Sequence, residues 1–193
     1  MHTAVAAPHR HGYSLTLPIM VKAFTANKLE YMFTGALAAS FYGLPRTTTD
    51  VDVIVQVSNK TTKSGLCHAL AGAKISVDEK EIDKALASGY RIATFADTKT
   101  AYSVDIIFTD EKLQKRPGTI AGVQAFFQTP EDLISAKLRM IKSTVPQERA
   151  FKDKEDVKAI LRFTAVNVDI LKKKAKKEGT LSTFEALLAD RDE

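Results

Sequence analysis

A chain of 193 residues suits one α/β domain, or one with a small helical extension. Apolar residues at 45% and charged residues at 26% supply a normal core and argue against long disorder. No apolar run approaches the roughly 18 residues of a membrane span, and the single cysteine, Cys67, excludes an internal disulfide and is compatible with a reducing cytoplasm.

The net charge of +5 and a pI near 9.2 are compatible with nucleotide or nucleic-acid ligands. Residues 1–18 are polar and carry His2, His9 and His11. With no apolar h-region they read as a flexible tail, not a secretory signal. A helix is expected from about Ile19 to Asn27, then a short strand at Tyr31 to Phe33. A small-residue helix follows from about Ala36 to Tyr42, ended by Gly43, Leu44 and Pro45. Val51 to Val57 is rich in β-branched residues and reads as a strand. Helices near Lys60 to Ala71 and Asp78 to Ser88 come next, then strands near Arg91 to Phe95 and Tyr102 to Phe108. A strand at Val123 to Phe127 is expected to close the sheet. An α/β core therefore covers 19–128.

Thr129-Pro130-Glu131-Asp132 has the marks of a helix start: an N-cap threonine, proline at the first helical position, and acids at the positive end of the dipole. That helix runs to about Ser143, and Pro146 breaks the chain. Asp153 to Phe163, Val168 to Lys177 and Ser182 to Ala189 fit further helices, with Gly179 as a stop. Residues 129–193 thus form a helical portion.

In Asp50-Val51-Asp52-Val53-Ile54-Val55, strand alternation puts Asp50, Asp52 and Ile54 on one face and the valines on the other. At about 3.3 Å rise per residue, the two aspartates lie roughly 6–7 Å apart. Unpaired anions that close repel each other. A divalent cation removes the conflict, and hard oxygen ligands suit magnesium or manganese. Asp105 sits between Ser103 and Ile107 on the face opposite Tyr102, Val104, Ile106 and Phe108. An acid within so apolar a strand is costly unless paired or metal-bound. The competing reading makes each aspartate a strand-end or salt-bridged residue.

The run from Phe33-Thr34-Gly35-Ala36 through Tyr42-Gly43 and Arg46-Thr47-Thr48 to Asp50-Val51-Asp52, followed by Thr129-Pro130-Glu131-Asp132-Leu133 and Lys152-Asp153-x-x-Asp156-Val157, resembles the nucleotidyltransferase superfamily, the fold of DNA polymerase β. Within it the order of motifs is similar to the minimal group related to AbiEii-type toxins. The resemblance implies an α/β (α+β) fold: a mixed sheet flanked by helices, with a C-terminal helical portion. It implies transfer of a nucleoside monophosphate from a nucleoside triphosphate to a hydroxyl acceptor (a protein, a tRNA end or a small molecule), including toxin–antitoxin roles. Two magnesium or manganese ions would be held by Asp50, Asp52 and Asp105, with Asp105 on the acceptor side. Nucleotide contacts are implied for Thr34, Gly35, Ala36, Arg46, Thr48, Lys137, Asp153 and Asp156. Ala36 stands where many members have serine, leaving phosphate contact to backbone N–H groups at the helix start. Arg46 is equally readable as a surface charge.

Lys137 has support of its own. It lies four residues from both Leu133 and Ile141 and so emerges from a buried face, where lysine finds an anion or snorkels outward. Asp153 and Asp156 are equally readable as groups orienting Lys137, as nucleotide contacts, or as acids at a helix start. The Lys172–Lys177 run reads as a solvated face or as a contact for RNA phosphates. The alternative to an enzyme is a non-catalytic nucleotide- or RNA-binding module on the same fold.

Overall fold

A computed structural model describes residues 13–57, 60–96 and 102–191. The histidine-bearing positions 2, 9 and 11 lie outside the described residues. The chain divides into two compact units. One takes the chain up to Leu37 and Thr47–Gln128; the other takes Ala38–Arg46 and the chain from Thr129 onward.

The first unit is built on a six-stranded mixed sheet. Its first helix, α1, spans Tyr13–Ala26, so residues 13–18 are helix and not tail. Leu17, Met20, Val21 and Phe24 fall at helical spacing and are all buried. Pro18 removes one hydrogen bond, a penalty of about 3 kcal/mol. Burial of four large apolar side chains at about 1.5–3 kcal/mol each outweighs it. Then come β1 (Tyr31–Phe33), α2 (Gly35–Tyr42), β2 (Asp50–Gln56), α3 (Lys60–Gly72), α4 (Glu79–Ala87), β3 (Ile92–Ala96), β4 (Ser103–Thr109), β5 (Lys115–Ile120) and β6 (Val123–Gln128). The spatial order is β3-β4-β2-β1-β6-β5. The β2–β4 and β1–β6 pairs are parallel; β1–β2, β3–β4 and β5–β6 are antiparallel. An aromatic chain knits α1 to the sheet centre: Phe24 to Tyr31 at 5.0 Å, Tyr31 to Phe33 at 5.7 Å, and Phe33 to Phe127 at 5.9 Å between ring centroids.

Strand β5 is not expected from the sequence, and it takes the edge position where β6 was expected to close the sheet. Its Lys-Arg-Pro-Gly core reads locally as a turn. Pairing with β6 makes it a strand, through a two-residue hairpin at Ala121 and Gly122 with both φ values positive, 48° and 79°. Pro117 is tolerated because edge strands leave one row of N–H positions unpaired.

In the second unit, α5 (Pro130–Ser143) starts at Thr129, whose hydroxyl accepts from the Asp132 N–H at 3.3 Å. A short 3₁₀ turn at Gln147–Ala150 leads into α6 (Phe151–Phe163), which begins two residues before the expected Asp153. Next are α7 (Val168–Glu178) and α8 (Leu181–Ala189). Gly179, in the left-handed region at φ 66°, stops α7 as expected. No described helix is long and apolar enough to cross a membrane.

Candidate functional site

The sheet unit gathers oxygen-bearing side chains on one face of two parallel strands. In β2, Val51, Val53 and Val55 are buried; in β4, Val104, Ile106 and Phe108 are. The alternation that buries these six turns Asp50, Asp52, Ser103 and Asp105 to the other face. The parallel register sets Asp50 opposite Ser103 and Asp52 opposite Asp105. With neighbouring strands about 4.8 Å apart, Asp52 and Asp105 stand side by side. Oδ1 of Asp105 is buried without a hydrogen-bond partner. Asp50 opens β2, where its N–H donates to the Thr48 hydroxyl at 3.3 Å and its carboxylate accepts from the Ser103 hydroxyl at 2.7 Å. Thr48, expected to touch nucleotide, here also shapes the start of the strand.

The turn from β1 into α2 presses against the same carboxylates. The Thr34 N–H donates to the Asp52 carbonyl at 3.0 Å. Gly35 adopts φ +57°, and a Cβ there would lie 1.9 Å from Asp52 Oδ2 and 2.7 Å from its Cγ. Only glycine allows both the left-handed backbone and the close approach. The Thr34 hydroxyl donates instead to Gln128 Oε1, at 2.5 Å, inside the unit. Ala36 is buried and brings no hydroxyl. The start of α2 at this turn therefore presents main-chain N–H groups, a geometry that suits an anion.

The donor chemistry fits a hard divalent cation: carboxylates paired across two strands, with one buried oxygen unengaged. Among the described residues, no three His, Cys, Asp or Glu side chains already converge as a metal-binding group. Asp52 and Asp105 form the close pair, and Asp50 lies one step along β2, bound to Ser103.

The remaining expected residues meet in the helical unit. Lys137 projects from the buried face of α5 beside Leu133, Ile134 and Ile141 and is 5% exposed. Its Nζ lies 2.8 Å from Asp153 Oδ1 and 2.7 Å from Asp156 Oδ2. Arg46 grips the same Asp156 with two bonds, Nε to Oδ1 at 2.8 Å and Nη2 to Oδ2 at 2.9 Å. Two cations and two anions thus form a charge-balanced, largely buried network. Lys137 thus stays buried with carboxylates around its Nζ and does not reach outward, and Arg46 is ion-paired to Asp156. The loop bearing Arg46 is braced on α6. The Thr164 hydroxyl donates to the Tyr42 carbonyl at 2.6 Å, and a Cβ at Gly43 would meet that of Ala159 at 2.9 Å. In the lysine run, Lys174 pairs with Asp132, while Lys172, Lys173, Lys176 and Lys177 are exposed.

Two residues that engage expected site side chains, Ser103 and Gln128, are given no role by the sequence. Ser103-x-Asp105 repeats the spacing of Asp50-x-Asp52, a usable signal once the two strands are paired. Gln128 carried none.

No protein-family model matches the chain, and no curated protein matches it by sequence. Solved structures do. An antigenic nucleotidyltransferase-like protein from Paracoccidioides brasiliensis superimposes with TM-score 0.60 at 12% identity, covering 92% of this chain and 93% of that one. The antibiotic-resistance factor ANT(2'')-Ia superimposes in its solution structure with TM-score 0.61 at 13% identity, covering 93% and 94%. Its crystal structure in complex with adenylyl-2''-tobramycin gives 0.52 at 14%, covering 93% and 96%. The fold of this chain, a six-stranded mixed sheet with flanking helices, is that of the nucleotidyltransferase-like proteins.

Proposed function

We propose that the chain is a metal-dependent nucleotidyltransferase, moving a nucleoside monophosphate from a nucleoside triphosphate to a hydroxyl acceptor. The observation that carries this reading is the in-register pair Asp52 and Asp105 on adjacent parallel strands, with the Gly35 turn set against Asp52. Asp50, Asp52 and Asp105 would hold two magnesium or manganese ions, which when bound supply positive charge to the triphosphate and activate the acceptor hydroxyl. Main-chain N–H groups opening α2 take phosphate oxygens, since neither Thr34 nor Ala36 offers a hydroxyl there. The acceptor oxygen forms a bond to the α-phosphorus as the bond to the β-phosphate oxygen breaks, and pyrophosphate leaves. Asp105, through its unengaged Oδ1, takes the acceptor proton.

The order of the Tyr42-Gly43, Arg46-x-Thr48, Asp50-x-Asp52 and Thr129-Pro130-Glu131-Asp132 segments supports a place in the AbiEii-type group, with a toxin–antitoxin role. The acceptor is a protein hydroxyl, a tRNA end or a small molecule; the adenylyl-2''-tobramycin bound to one structural neighbour supports the last. A second reading, a nucleotide-binding module without catalysis, is favoured by the missing hydroxyl at Ala36 and the engaged one at Thr34.

The test incubates the protein with manganese and α-labelled nucleoside triphosphates in cell-extract protein, in extract RNA and with small hydroxyl compounds. Transfer by wild type is expected, with its loss in Asp52→Asn and a fall of about 100-fold or more in Asp105→Asn. Nucleotide binding without transfer into any acceptor would favour the second reading. Transfer unchanged in both variants would end the first.

A further inference from the structure

Strands β2 and β4 do more than bring three acids together. Their register lays out a two-by-two grid, with Asp50 and Ser103 in one row and Asp52 and Asp105 in the next. Three corners are carboxylates. The fourth is a hydroxyl that donates to Asp50 Oδ1 at 2.7 Å. We propose that Ser103 is a positioning residue for the cation site, fixing the Asp50 carboxylate through this hydrogen bond. The inference rests on the metal-dependent reading above.

Asp50 is the first residue of β2 and is exposed, unlike Asp52 and Asp105, which are flanked by strand on both sides. A carboxylate at a strand end samples several rotamers in water, and holding one geometry costs entropy. The main chain at this strand end is restrained. Thr48 Oγ1 accepts from the Asp50 N–H at 3.3 Å and lies 3.2 Å from the Asp50 carbonyl, and the Ser103 N–H donates to the neighbouring Thr49 carbonyl at 3.2 Å. None of these contacts touches the Asp50 side chain; the Ser103 hydroxyl does.

The chemistry of the hydroxyl suits the task. A serine O–H gives one proton to Oδ1, a charge-assisted bond, and adds no positive charge. A lysine or arginine at this corner would neutralise Asp50 and compete with a cation. A fourth carboxylate would add repulsion to a crowded face. A hydroxyl orients the carboxylate and leaves its negative charge available, which is how outer-shell donors tune metal ligands. Ser103 is a β4 residue in a ladder with Asp50 on one side and Ala96 of β3 on the other, so its own position is set by backbone pairing.

The experiment measures binding of manganese by electron paramagnetic resonance, with no nucleotide present, in wild type, Ser103→Ala, Ser103→Val, Ser103→Thr and Asp52→Asn. Thermal unfolding of each variant confirms that it is folded. Ser103→Ala and Ser103→Val are expected to weaken manganese binding roughly 10-fold. Ser103→Thr, which keeps the hydroxyl, is expected to restore it to within about twofold. A merely structural serine would not separate Val from Thr, two side chains of the same shape. Wild-type affinity in Ser103→Ala alongside lost binding in Asp52→Asn would overturn the role of Ser103 and leave the metal reading standing. Unchanged binding in Asp52→Asn as well would overturn both.

Discussion

Replacing Gly35 with alanine separates two consequences of one close contact. At φ +57° an L-residue other than glycine meets its own carbonyl, at about 1–2 kcal/mol. The new methyl would also lie 1.9 Å from Asp52 Oδ2 and 3.1 Å from Asp52 Cβ. The carboxylate end can swing away, so this overlap adds only the cost of an off-rotamer side chain, about 0.5–1.5 kcal/mol. The sum is a loss of about 1.5–3.5 kcal/mol, read as a lower urea midpoint at unchanged slope. The swing moves Asp52, so manganese binding and nucleotide transfer fall far more than stability does. Gly35→Asn separates the two costs, because asparagine tolerates the left-handed region but keeps the Cβ. It should regain stability relative to alanine without regaining manganese binding. A Gly35→Ala protein within about 0.5 kcal/mol of wild type in urea unfolding, binding manganese normally, would refute the contact between the turn and Asp52.

Two further outcomes follow from the charges. Asp156→Ala leaves buried Lys137 with Asp153 alone and Arg46 without its two-bond partner, so urea unfolding should show a loss of about 3 kcal/mol, the low end for breaking a buried pair. Asp156→Leu combined with Lys137→Met should lose less than the sum of the single changes, and strict additivity would count against a coupled network. At the far edge of the sheet, the Arg91 guanidinium hydrogen-bonded to Asp110 holds that carboxyl below its ordinary value. A depressed folded pKa adds stability that is present above the unfolded pKa and lost as pH falls through the folded one. The difference in urea midpoint between wild type and Asp110→Asn should therefore be flat from pH 5 to 8 and shrink below about pH 4. A difference that persists to pH 2 would show that the pair is not its source.

Much of this molecule is legible in one dimension because periodicity is local. Alternation in Asp50–Gln56 and Ser103–Thr109 already says which side chains share a face, since a strand has one period and one buried side. Thr129 and Gly179 mark helix ends by their own chemistry, and Lys137 declares itself by standing in an apolar stripe. What the chain does not spell out is adjacency. Nothing near Asp52 names Asp105 as its neighbour; that follows from β2 and β4 pairing in parallel, which depends on every strand in the sheet. Lys137 shows that an anion is needed, and only the packing of α6 and the Arg46 loop says which. Residues 115–120 look like a turn until β6 offers them a ladder, because hydrogen bonds from the paired strand override weak local preference. The acids of the β2–β4 face could be named from sequence. Their order on that face, with Ser103 at the fourth corner and Gly35 against Asp52, is a property of the folded sheet.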